Sequence, residues 1–65
     1  MTVQTHAILN GASQLAYDSL RVIECAALVS NPADQRDLLN KAIAMLDTAA
    51  DECRRVKGKL PAISI

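Results

Sequence analysis

The stretch "AALVSNPADQRDLL", residues 26 to 39, decides how the chain folds, because it reads as one helix closing and another opening. Asn31 carries a short acceptor side chain suited to an N-cap. Pro32 fits the first helical position, where its missing N–H would be unpaired anyway, and Asp34 faces the positive end of the helix dipole. The second helix therefore starts at Pro32. A residue before proline is disfavoured in the α conformation, so the first helix must stop near Val29 or Ser30. A tight turn follows, and the two helices should fold back antiparallel.

Outward from the turn, the second helix is strongly amphipathic. At 100° per residue Leu38, Leu39, Ala42, Ile43, Met45, Leu46, Ala49, Ala50, Cys53 and Val56 fall in an arc of about 160°, with Asn40, Asp47, Asp51, Arg54 and Arg55 outside it. Within the arc, Leu39, Ala42, Leu46, Ala49, Cys53, Val56 and Leu60 follow a 4-3 spacing that mixes large and small residues, a seam that lets two backbones approach. Lys57, Gly58 and Pro61 are expected to end the helix: a cation at its negative end, a left-handed glycine cap and a proline beyond. The residue string thus divides into helix one over about 5–30, helix two over about 32–57 and a short apolar tail over 58–65.

The start of helix one has two readings. Thr5 can cap a long helix with Gly11 inside it, or Asn10 can cap a shorter one; the longer is preferred because Ile8 continues the apolar stripe. The predicted seam is Ala12, Ala16, Leu20, Ile23 and Ala27. A shoulder of Ile8, Leu15, Val22 and Val29 widens the apolar surface to about half the circumference, more than one facing helix covers. Together with Met45, this shoulder is the expected surface on which two hairpins pair into a symmetric four-helix dimer. The fold class is accordingly all-α: an antiparallel two-helix hairpin over residues 1–65, pairing as a homodimeric four-helix assembly.

Size and charge support that expectation. A single core in 65 residues seldom supplies more than about 3–5 kcal/mol without disulfides, a metal or oligomerisation. Seven basic and seven acidic residues balance, so no long-range field draws the chain to nucleic acid or to an anionic membrane. No apolar run approaches the ~20 residues of a membrane span, and the N-terminus lacks a signal-peptide pattern. A cytoplasmic protein is expected.

Chemistry is sparse. His6 is the sole histidine, Cys25 and Cys53 stand far apart in the chain, and no Cys-x-x-Cys, His-Glu-x-x-His or glycine-rich phosphate loop occurs. In a hairpin turning near residue 30 the two sulfurs lie about 25 Å apart, beyond disulfide reach. No serine shares a face with a base and an orienting group. The residues therefore point to a non-enzymatic protein without cofactor or metal.

Binding surfaces remain. On helix one Asn10, Gln14, Tyr17, Arg21, Glu24 and Leu28 recur at three- and four-residue spacing away from the seam. Tyr17, Arg21 and Leu28 are candidate anchors for a protein partner, since Tyr and Arg are enriched at interface hot spots. Against that stands a solvated face, with Asp18–Arg21 and Arg21–Glu24 as i,i+3 pairs. The run "RRVKGK", residues 54 to 59, offers Arg54, Arg55, Lys57 and Lys59 to a phosphate backbone, making a small DNA-binding protein the alternative. Helix-dipole complementarity and an Asp51–Arg55 pair explain the same cations without DNA, and Arg54 and Arg55 also stay candidates for contact with a protein. A structural assembly subunit is a third possibility.

The combination of "GASQLAYDSL" in the first helix, a proline-initiated second helix and "AIAMLDTAADECRR" within it resembles small helical-hairpin proteins of pseudomonads and their phages, above all the phage-encoded quorum-sensing anti-activators. The likeness spans nearly the whole chain. It implies a homodimeric inhibitor that works in the cytoplasm of a bacterial host, binds a LuxR-type transcriptional activator and keeps it from promoter DNA, with the type IV pilus assembly ATPase as a possible second target.

Overall fold

The computed structural model describes residues 3–60, which form two helices, α1 (Val3–Leu28) and α2 (Pro32–Lys59), joined by a three-residue connection. Each helix is about 40 Å long at 1.5 Å per residue, yet the molecule's longest dimension is only 49 Å, so the helices lie side by side and antiparallel. Among the described residues there is no strand.

The turn forms for the reasons its sequence gives. Asn31 adopts an extended backbone (φ −77°, ψ 120°), its side-chain oxygen accepts the Ala33 N–H at 2.9 Å, and its carbonyl accepts the Gln35 N–H at 2.9 Å. Two groups at the start of α2 are thereby satisfied. The end of α1 is closed by the Val29 N–H on the Ala26 carbonyl at 3.4 Å, and the Gln35 side chain crosses from α2 to donate to that same carbonyl at 3.0 Å. This bond fixes the level of the two helices: residues whose numbers sum to about 61 stand opposite one another.

Both helices extend further than their capping residues predict. α1 begins at Val3 and runs through Thr5, Asn10 and Gly11, so neither Thr5 nor Asn10 marks its start. α2 continues through Gly58 and Lys59, and no described glycine has a positive φ, so the expected left-handed cap at Gly58 does not form. The helix ends instead at Leu60 (φ −83°, ψ 146°), whose N–H reaches the Lys57 carbonyl at 3.3 Å. That extended conformation is the one imposed on a residue preceding proline, here Pro61. The expected apolar tail beyond Leu60 lies outside the described residues.

Burial corrects the rotational setting of both helices. On α1 the buried residues are Ala12, Ser19 and Ala26, with Thr5, Ile8, Leu15, Val22 and Val29 half-buried between them. On α2 they are Ala42, Ala49 and Val56, with Leu38, Met45 and Glu52 half-buried between. Both sets follow an unbroken 3-4 spacing, and they form the seam between the helices. Leu20, Ile23 and Ala27 of the predicted α1 seam are exposed, as are Leu39, Leu46, Cys53 and Leu60 of the predicted α2 seam; Ala16 is half-buried. The physical reason is size. Alanine and serine at the centre of the contact let the two backbones approach, and the larger side chains flank them or turn outward. Ser19, wholly buried, keeps its hydroxyl satisfied by donating to the Ala16 carbonyl at 2.7 Å.

Candidate protein-binding surfaces

Turning the seam inward leaves a second 4-3 stripe on each helix. On α1 it is Ala16, Leu20, Ile23 and Ala27; on α2 it is Leu39, Ile43, Leu46, Ala50 and Cys53. Each stripe is displaced from its own seam by about 90–100° in the same rotational sense along the chain. Because the helices run antiparallel, equal displacement in the same sense carries both stripes to the same side of the hairpin. The result is one continuous apolar face. Leu20 is 56% and Ile43 55% exposed, and Ile23, Leu39 and Leu46 are exposed beside them. By contrast the largest side chain in the buried core is the single valine, Val56.

The residues expected to form the dimer surface lie elsewhere. Ile8, Leu15, Val22, Val29 and Met45 are half-buried on the seam heptads, in step with the buried alanines. They pack along the interhelical seam, and the large aliphatic side chains exposed on one face are instead Leu20, Ile23, Leu39, Ile43 and Leu46. Periodicity set Leu20, Ile23, Leu39 and Leu46 in the seam and Ile43 in the apolar arc, because each helix carries two apolar stripes of equal spacing. The signal that separates the stripes is side-chain size, with Ala12, Ser19, Ala26, Ala42 and Ala49 forming the close-approach set.

The outer stripe of α1 sits where its spacing puts it. Tyr17 is 67% and Leu28 86% exposed, and Arg21 is exposed between them. Among the described residues Arg21 forms no ion pair; Asp18, expected to pair with it, instead accepts a hydrogen bond from the Gln14 side chain at 3.1 Å. The guanidinium is free to meet a partner. At the other end of the molecule the basic run is partly neutralised: Arg54 pairs with Asp51 at 2.6 Å and Arg55 with Glu52 at 3.1 Å, both i,i+3, in place of the expected Asp51–Arg55 pair. These exposed pairs contribute little to stability but halve the charge that "RRVKGK" presents.

Cys25 and Cys53 are both free and exposed. Cys53 belongs to the apolar face rather than to the interhelical seam, which corrects the sequence reading, while Cys25 points to the opposite side of the hairpin. Among the described residues no three His, Cys, Asp or Glu side chains gather where they could hold a metal ion. Two open depressions flank the start of α2, one bounded by Pro32, Ala33, Arg36 and Asp37 and the other reaching Leu39 and Ile43. No described helix is long and apolar enough to cross a membrane. No family model matches the chain, and no curated protein or solved structure matches it either.

Proposed function

We propose that the protein is a non-enzymatic inhibitor that acts as a homodimeric four-helix assembly and binds another protein stoichiometrically. The observation that supports this reading is the imbalance between its interior and its surface: five large aliphatic side chains are exposed on one face of a hairpin whose buried core holds nothing larger than Val56. A second hairpin on that face would complete the core. The outer stripe of Tyr17, Arg21 and Leu28 then stays open on each copy as an anchor set of the aromatic, guanidinium and aliphatic kind that dominates interface energetics. The partner proposed, on the resemblance of the chain to quorum-sensing anti-activators, is a LuxR-type transcriptional activator, held off its promoter; the pilus assembly ATPase is a further target of the same kind. The DNA-binding alternative is weakened by the Arg54–Asp51 and Arg55–Glu52 pairs.

The test is a titration of the purified protein into a LuxR-type activator bound to fluorescent promoter DNA. Release of the DNA at a fixed molar ratio is expected. Tyr17→Ala with Arg21→Ala should cut that inhibition at least tenfold, while helicity stays unchanged, since truncating interface anchors costs about 2 kcal/mol or more and surface changes within a fold about 0.5. Direct, steeply salt-dependent binding of the protein to the DNA alone would instead favour the basic end of α2.

A further inference from the structure

We infer that the apolar face is covered by a second copy of the chain whose turn lies at the same end, with α1 of each copy packed along α2 of the other and Glu24 paired with Arg36 across the interface. The inference rests on the dimeric reading above and specifies its geometry.

Exposed surface and the complementary charges on the edges of the face, Glu24 and Arg36, point to a second copy as the occupant. The chain exposes 5257 Å². A compact monomer of 7.0 kDa exposes about 4000 Å². Net charge is zero, so copies do not repel one another.

Charge along the edges of the face then selects the arrangement. A two-fold axis can bring two such faces together in two ways. If it runs along the helices, the turns coincide, α1 lies against α2 of the second copy, and residues at the same level meet. If it runs across the helices, the turns lie at opposite ends and each helix meets its own copy reversed. The residues that flank the face, about 60–80° from its centre, are Glu24 on α1 and Arg36, Asp47 and Arg54 on α2. Glu24 and Arg36 stand at the same level, because their numbers sum to 60 and the Gln35–Ala26 bond sets the level rule near 61. Both are exposed, and neither forms an ion pair among the described residues. With the turns together, each Glu24 meets Arg36 of the second copy, twice per dimer. With the turns apart, a crossing centred on the face sets Arg36 against Arg54 of the second copy and Asp47 near its own counterpart. Like charges in these flanking positions disfavour that pairing, as opposite charges favour the first. Size agrees: with the turns together, Ala16 lies level with Leu46 of the second copy, small against large.

Three measurements on the full chain test this. Sedimentation equilibrium at micromolar concentration should give a dimer. Glu24→Arg and Arg36→Glu should each weaken it about tenfold, and the double reversal should restore most of the loss, because each single change turns two attractive pairs into repulsive ones. Spin labels on Ser30→Cys, in a Cys25→Ser, Cys53→Ser background, should lie within about 15 Å of each other, between one interhelical spacing and the diagonal of a four-helix square. A dimer with labels about 40 Å apart, or one that Arg36→Glu tightens, overturns this arrangement and leaves the dimeric reading intact. A monomer overturns both.

Discussion

A methyl group added at Gly11 would meet no atom within 4 Å, and the position is exposed, inside α1 and free of positive φ. Nothing in the fold there uses the freedom of glycine, and the unfolded chain gains entropy from it. Gly11→Ala is therefore expected to stabilise the protein by about 0.5–1 kcal/mol and to raise the thermal midpoint by several degrees, read by circular dichroism. Gly58 is equally unencumbered but sits in the last turn of α2, where the same change acts on a helix end and should yield less. Asn31 is the opposite case. Its side chain and its carbonyl each hold one of the first amides of α2, so the residue that begins the second helix in sequence is also the residue that satisfies it in structure.

At the scale of the helices, what was legible in the sequence was what depends on neighbours in the chain. Asn31, Pro32 and Asp34 act over one turn, and the second helix starts where they place it. The rotational setting depends on the facing helix instead. Ile8, Ala12, Leu15, Ser19, Val22, Ala26 and Val29 and the set Ala16, Leu20, Ile23 and Ala27 have the same 4-3 rhythm, so spacing alone could not decide between them. The close-approach residues decide it, and Ser19 is the clearest marker, a polar residue wholly enclosed because a larger one would hold the helices apart. The helix ends beyond Gly58 and before Thr5 were equally hidden, since capping residues permit a boundary without requiring one. The seam predicts its own sensitivity: Ala42→Leu or Ala49→Leu adds three carbons where exposure is 2% and 8%. Each should destabilise the hairpin by about 1–3 kcal/mol in urea titrations, whereas Ala44→Leu, exposed and away from both the seam and the apolar face, should not.

For the molecule as a whole, a radius of gyration of 15.3 Å, against about 11 Å for a compact 65-residue domain, describes a rod with too much surface for its volume. Covering the apolar face makes stability a function of concentration, so the thermal midpoint should rise as the protein is concentrated. The cysteines report the same event from opposite sides. Cys53 lies on the apolar face and Cys25 away from it, so a thiol reagent should modify Cys25 readily at all concentrations and Cys53 only on dilution; equal rates in concentrated solution would count against a covered face. Finally, the nearly equal lengths of α1 and α2, 26 and 28 residues, give the rod two unlike poles. One pole is the turn, with Leu28 beside it. The other is where the described chain both begins and stops, so that cargo fused to either end of the helices would be carried at that pole, a full helix length from Leu28.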